Sequence, residues 1–349
     1  MNHGMNLDPL LRRAIELAKA GRGHVEPNPM VGCVLVSPGG EIIGEGIHAR
    51  FGEPHAEPTA LADCARRGND PAGATAVVTL EPCCHIAKKT PPCVPTLISA
   101  GIAHVAIGAL DPNPAVNGEG IRQLRDAGVE VTFLDSPAAR QLLAPFIAGT
   151  VRKRPYVTAK VAVSADGLIA GPAGEPVRIT GPESDKVVMR LRSRCDAIAV
   201  GGRTLRNDDP ALTVRGIDTP PRTPLRIVLT RSGDVPPRAK LLSDGGPETL
   251  LHQGDFGALL ADLHGRGHTH LLLETGPRLL DALRRHVDRL WTFTSPRTLG
   301  EGIPIDLPDW PGHETRLGID TLRESFNPDS PVYFAAEPSA DFPGGSPES

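Results

Sequence analysis

Two short segments constrain the fold of this 349-residue chain most: His55-Ala56-Glu57, and Leu80-Glu81-Pro82-Cys83-Cys84 running on to Thr90-Pro91-Pro92-Cys93. One histidine and two cysteines are soft or borderline ligands suited to zinc, and three of them leave the fourth tetrahedral position open to a water. A metal there would pull the pKa of that water toward neutrality. Glu57, two residues from His55, is badly placed to share the metal but can carry protons to and from the water. Any fold must therefore bring residue 55 beside residues 83 and 93. Taken singly, each residue has an ordinary reading, a solvated histidine or a core cysteine. Their conjunction, with a strand-like run over 76–80 ending in Glu-Pro-Cys and a helix-like run opened by Pro-Pro-Cys, favours the metal. A structural site completed by Cys84 or His85 stays open, although it would have no use for Glu57.

A formal net charge of −4 offers no general attraction to nucleic acid, and 3% aromatic residues leave no stacking platform for a single strand. A small substrate, and no nucleic-acid partner, is expected. Six cysteines in a chain of this size, three of them in the metal segment, read as reduced. Near the N-terminus Leu7, Leu10, Leu11, Ala14, Ile15 and Ala18 share one helical face, as in a docked globular helix. No apolar run is long enough to span a bilayer, and the start is too interrupted for a signal peptide, so a cytoplasmic location is expected.

Strand and helix periods alternate along the chain. The patterns predict strands over 30–36 and 41–47 joined by Ser37-Pro38-Gly39-Gly40, and a helix from about 55 to 66. A strand over 76–80, a helix over 94–100, a strand over 104–110, a helix over 119–127 and a strand over 129–134 follow. This alternation implies an α/β layer structure with a largely parallel sheet. Residues 149–155, with Arg152, Lys153 and Arg154, read as a linker with solvated basic side chains. A second α/β series has strands over 156–163, 197–200, 225–229, 270–273 and 290–294, and helices over 183–194, 256–264 and 277–286. Three regions are expected: 1–150, 151–326, and a disordered, Pro- and Gly-rich tail over 327–349.

The H-x-E…P-C pattern resembles that of zinc nucleobase deaminases. More specifically, Pro27-Asn28-Pro29-Met30-Val31-Gly32, His55-Ala56-Glu57, Thr79-Leu80-Glu81-Pro82-Cys83, Thr90-Pro91-Pro92-Cys93 and Asp111-Pro112-Asn113-Pro114 resemble, in this order, the bifunctional riboflavin-biosynthesis deaminase/reductase family. In the second half, Arg154-Pro155-Tyr156-Val157-Thr158, Ser164 with Asp166-Gly167, Ile179-Thr180-Gly181, the run from Asp208-Asp209-Pro210 to Arg215, and Glu274 with Gly276-Pro277 are similar to its reductase part. The resemblance implies a cytidine-deaminase-like α/β/α domain, then a dihydrofolate-reductase-like α/β domain. It implies Zn²⁺ and NADPH as cofactors. The first domain would deaminate a 2,5-diamino-6-(ribosylamino)pyrimidinone 5′-phosphate, and the second would reduce the ribosyl chain to ribityl. By the same resemblance His55, Cys83 and Cys93 bind zinc, Glu57 moves protons and Asn28 holds the pyrimidine. Ala162, Thr204, Asp208 and Gly276 would contact NADPH, while Leu212, Arg215 and Glu274 would face the substrate. A homo-oligomer is expected.

Three positions depart from the family pattern. The 83–93 loop is one residue longer, which leaves Cys83 or Cys84 as the ligand, with Cys83 preferred because it follows the stiff Pro82. Arg178 stands where the family has Trp, removing an apolar plane. Thr275 stands where it has Gly, and a β-branched residue resists positive φ. The last two keep open an alternative, a deaminase with a degenerate reductase domain serving flavin-like or pteridine-like secondary metabolism.

Overall fold

The computed structural model describes residues 5–84, 91–114, 116–217, 222–330 and 332. The chain divides into two compact units, Met1–Val151 and Arg152–Ser349. No helix among the described residues is long and apolar enough to cross a membrane.

The first unit opens with α1 (Leu7–Ala18), whose Asn6 side chain accepts from the Asp8 amide and whose buried face is Leu11, Ala14, Ile15 and Ala18. The strands β1 (Gly32–Val36) and β2 (Ile42–Ile47) precede α2 (Ala56–Arg66), β3 (Thr75–Val78), α3 (Cys93–Ser99), β4 (His104–Ile107), α4 (Glu119–Asp126), β5 (Glu130–Phe133) and α5 (Pro137–Arg152). Their sheet has the order β2-β1-β3-β4-β5. It is mixed, not largely parallel: β1 runs antiparallel to β2 and β3, and only the β3–β4 and β4–β5 pairs are parallel. The cause is the tight turn after β1, closed by the Ser37 amide on the Glu41 carbonyl, because so short a connection can only join antiparallel strands. Two glycines seat α2 on this sheet. A Cβ at Gly46 would lie 2.2 Å from the Ala60 nitrogen, and one at Gly44 would lie 2.5 Å from the Ala60 oxygen. The backbone of α2 therefore rests directly on β2, which places its first turn at the sheet edge.

The second unit contains β6 (Tyr156–Val163), β7 (Leu168–Ala170), α6 (Pro182–Ser193), β8 (Ala197–Gly201), α7 (Gly202–Asp208), β9 (Leu225–Leu229), α8 (Lys240–Ser243), β10 (Thr249–His252), α9 (Phe256–Gly265), β11 (His270–Glu274), α10 (Pro277–Leu283), β12 (Arg289–Thr294), β13 (Ile303–Pro304), β14 (Gly312–Leu317) and β15 (Asp320–Phe326). Its main sheet has the order β10-β9-β8-β11-β6-β12-β15-β14, parallel from β10 through β12 and antiparallel beyond. The central strands are buried on both faces and read as continuous apolar runs.

The basic stretch near the junction differs from its sequence reading. Helix α5 runs to Arg152, with Pro145 interrupting its apolar pattern. Arg154 is buried and bidentate on Asp288, at 2.7 and 2.8 Å. Charge in the sequence signals solvent only when no buried counter-ion lies elsewhere in the chain. Residues 327–330, assigned by composition to the tail, are held by the fold: the Asn327 amide donates to the Asp288 carbonyl and the Ser330 hydroxyl to the Asp288 carboxylate. The rest of the expected tail, apart from Val332, lies outside the described residues, as do His85 and Thr90.

Candidate functional site

His55 is the N-cap of α2 and its side chain makes no capping bond. Cys93 is the first residue of α3, directly after Pro92. Cys83 follows β3 on an extended segment tied by the Thr79 amide to Gly32 and by the Glu81 amide to Ala109. The local folds converge. The Cys83 and Cys93 sulfurs are 3.6 Å apart, and His55 Nδ1 lies 3.5 Å from the first and 3.3 Å from the second. Ligands at about 2.3 Å for sulfur and about 2.0 Å for nitrogen on a tetrahedral zinc would have edges of about 3.8 and about 3.5 Å. The three atoms match that face, and Cys84 is outside the set.

Glu57, in the first turn of α2, is 3% exposed. Burial, and next the negative Cys83, push its carboxyl above the usual range. The Cys93 thiol is pushed up as well, by its hydrogen bond with Cys83 and by burial. Two thiols and a carboxyl in a dry pocket cannot all ionise together without a cation, so this donor set fits a resident divalent metal.

Behind the His55 ring stands His48, a residue the sequence did not single out. Its ring meets that of His55 edge-on, with centroids 5.3 Å apart. Asn28 Nδ2 lies 3.1 Å from His48 Nε2, and His48 Nδ1 lies 3.1 Å from the Pro54 carbonyl. A carbonyl can only accept, so Nδ1 carries the proton and Nε2 accepts from Asn28. Asn28 is thereby linked through His48 to the residue preceding His55.

In the second unit the predicted residues lie at the C-terminal edge of the parallel strands or in the segments that follow. Ala162 is near the end of β6, Glu274 ends β11, and β8 runs directly into α7, which carries Thr204 and Asp208. Gly276 is the N-cap of α10, with Pro277 at its first position. Helix starts beside a strand edge favour phosphate, so the arrangement fits a dinucleotide cofactor. Leu212 is buried at φ +50, a conformation rarely adopted by a branched side chain, whereas Arg215 is exposed.

Glu274 has partners that the sequence did not reveal. Arg192 of α6 grips it with Nε at 2.6 Å and Nη2 at 2.9 Å, and spends Nη1 on the Thr213 carbonyl. Burial raises the Glu274 carboxyl, but the Arg192 guanidinium outweighs it and holds the group below the usual range. Lys160, paired with Glu274 across β6 and β11, is lowered by burial, with Glu274 opposing. A lone lysine inside an apolar parallel strand was the available signal. Arg192 is 82 residues from Glu274, and no local pattern joins them.

The two reductase departures look different in three dimensions. The Arg178 side chain is 71% exposed and paired with Asp185. Thr275 has no positive φ, and Gly276 sits at φ −105, so neither position demands glycine. The conformational objection to Thr275 is thus corrected. Thr275→Gly is expected to leave NADPH affinity within about twofold of the parent by isothermal titration; a tenfold tightening would show that the threonine does obstruct the cofactor.

Family models match at both ends of the chain: the cytidine and deoxycytidylate deaminase zinc-binding region over residues 5–109, and the RibD C-terminal domain over 155–319. The riboflavin biosynthesis protein RibD of Aquifex aeolicus is 36% identical over 340 residues, covering 90% of this chain and 91% of its own length. That of Escherichia coli is 37% identical over 326 residues, covering 83% and 88%. The crystal structure of a diaminohydroxyphosphoribosylaminopyrimidine deaminase/5-amino-6-(5-phosphoribosylamino)uracil reductase from Thermotoga maritima superposes with a TM-score of 0.80 at 33% identity, covering 91% of this chain and 97% of that one. Acinetobacter baumannii RibD gives 0.76 at 32%, covering 90% and 97%. With a convergent zinc-type ligand set in one unit and a cofactor-type strand edge in the other, the chain belongs to the RibD family of bifunctional riboflavin-biosynthesis deaminase/reductases.

Proposed function

We propose that the first unit hydrolyses the 2-amino group of a 2,5-diamino-6-(ribosylamino)pyrimidinone 5′-phosphate, and that the second reduces the ribosyl chain of the product to ribityl with NADPH. The convergence of His55, Cys83 and Cys93 around a single tetrahedral face, with Glu57 buried beside it, carries the reading. His55, Cys83 and Cys93 hold zinc. When bound, zinc supplies the Lewis acidity that makes a water nucleophilic near neutral pH. Glu57 accepts the proton of the attacking water and delivers it to the departing amine, so the C–N bond breaks as ammonia leaves and a carbonyl remains. Asn28, its amide oriented by His48, holds the pyrimidine.

In the second unit Ala162, Thr204, Asp208 and Gly276 contact NADPH, with Gly276 opening the helix start that receives phosphate. NADPH supplies the hydride. Glu274, kept ionised by Arg192, accepts hydrogen bonds from ribosyl hydroxyls, Leu212 packs against the substrate, and exposed Arg215 takes its phosphate in a bidentate grip. The degenerate-reductase alternative rested on Arg178 and Thr275. With one on the surface and the other conformationally relaxed, neither supports it. None of the six cysteines is in a disulfide, which suits the reducing cytoplasm. A homo-oligomer is proposed too, with edge strand β10 and its 40% exposed Leu251 as a pairing surface, to be checked by sedimentation velocity.

Incubation of the purified protein with the diaminopyrimidine phosphate, following ammonia and NADPH separately, tests the whole reading. Ammonia release without NADPH, and NADPH oxidation only once deaminated product is present, are expected. Ammonia release with no NADPH oxidation would reinstate the deaminase-only alternative. For the ligands, Cys83→Ser and Cys93→Ser are each expected to lose zinc by elemental analysis, while Cys84→Ser retains it. Retention in Cys83→Ser with loss in Cys84→Ser would shift the ligand by one residue.

A further inference from the structure

The motif Asp111-Pro112-Asn113-Pro114 and the glutamate of Leu80-Glu81-Pro82-Cys83 have no role in the chemistry described above, yet the fold joins them. Glu81 is 2% exposed. Its Oε2 accepts the Asp111 amide at 3.3 Å and the Gly118 amide at 3.0 Å, and its Oε1 accepts the Ile121 amide at 3.3 Å. One carboxylate thus gathers three backbone donors from the loop and first turn of α4 that follow β4. The approach is close: a Cβ at Gly120 would lie 2.5 Å from the Pro82 carbonyl and 3.0 Å from Glu81 Oε1. The loop is itself folded tightly, with the Asn113 amide on Asp111 Oδ1 and the Val116 and Asn117 amides on the Asn113 carbonyl. Pro82, fixed in φ, is all that separates the clamped Glu81 from Cys83.

β3 ends at Val78, and past it the backbone is tied by the Thr79 amide to Gly32, by the Glu81 amide to Ala109 and by the Val94 amide to the Cys83 carbonyl. The Glu81 side chain adds a further anchor two residues from the sulfur, short enough to set its position. We propose that Glu81 is a positioning residue for the metal centre: by locking the backbone at Asp111, Gly118 and Ile121 onto Leu80–Cys83, it sets the Cys83 sulfur against His55 and Cys93. This rests on the reading that Cys83 is a zinc ligand. A glutamate is suited to the task because both oxygens are acceptors. Gln offers one acceptor oxygen and a donor NH₂ that would face an amide N–H, so one side of the clamp must open.

If Glu81 couples the loop to the ligand, then the metal must in turn hold the loop, because coupling between two sites is reciprocal. The test begins with wild-type holoenzyme, measured by elemental analysis and by residue-resolved amide exchange before and after zinc is stripped with a chelator. Removal of zinc is expected to speed exchange at Asp111, Gly118 and Ile121 at least tenfold. Glu81→Gln is expected to surrender zinc to the chelator at least tenfold faster and to lose deaminase kcat, with NADPH oxidation on deaminated substrate unchanged. Gly120→Ala, which presses on the clamp from the opposite side, should do the same. Unchanged amide exchange in stripped wild type, or wild-type zinc release in a folded Glu81→Gln protein of lowered melting temperature, would make Glu81 a structural cap only and overturn the proposal. Cys83→Ser protein that holds zinc as well as the wild-type holoenzyme would instead overturn the ligand reading beneath it.

Discussion

Glu57→Gln is expected to keep its zinc and lose nearly all ammonia release. The amide has the size of the carboxyl and fits the same buried space in the first turn of α2, where Glu57 is 3% exposed, so the fold and the ligand set are left in place. What disappears is the ability to take a proton from water and return it to a leaving amine. General acid–base groups of this kind contribute roughly 10²–10⁴ in rate, and Glu57 serves twice in one turnover, so a fall of at least about 10³ in kcat is expected. Zinc by elemental analysis should remain at the wild-type level, and NADPH oxidation with deaminated substrate should be unaffected. Loss of the metal would make Glu57 a ligand; wild-type turnover would make it a bystander.

The cluster of His55, Cys83 and Cys93 was legible in the sequence because each part of it is local. His55 and Glu57 stand two residues apart at a helix start, Cys93 opens a helix, and Cys83 follows a strand through a proline whose φ is fixed. Only the closure between the three pieces needed the fold, and the helix resting on Gly44 and Gly46 provides it. The same held for β6, β9 and α9, whose apolar patterns match their burial. Features built from distant pairs were not legible. Nothing near Glu274 announces Arg192, and nothing near Cys83 announces that Glu81 will gather amides 30 to 40 residues downstream. The Thr275 objection failed for a related reason. A family glycine does not by itself demand positive φ: Thr275 has none, and Gly276 beside it enters α10 from the extended region. Arg154 failed in the opposite sense, as a charge assigned to solvent that the fold buries.

That buried pair yields the largest expected effect on stability. Asp288 is fully buried in its side chain and accepts from both terminal nitrogens of Arg154, from the Val157 amide at 2.8 Å and from the Ser330 hydroxyl at 2.7 Å. It fastens the start of β6 and the segment after β15 to the turn before β12. Arg154→Met would leave this carboxylate charged, dry and without its cation. Breaking a buried pair from one side costs about 3–5 kcal/mol, while replacing both members can be close to neutral. Both tryptophans, Trp291 and Trp310, belong to the second unit, so their fluorescence follows its unfolding without a signal from the first. In urea the Arg154→Met transition should fall by about 3 kcal/mol or more, with a melting temperature lower by roughly 10 °C. Asp288→Asn added to Arg154→Met should recover much of the loss, since the amide still accepts from Val157 and carries no charge. A single variant within about 0.5 kcal/mol of the parent would mean that water reaches Asp288, and the pair would then count as a surface bridge of little worth.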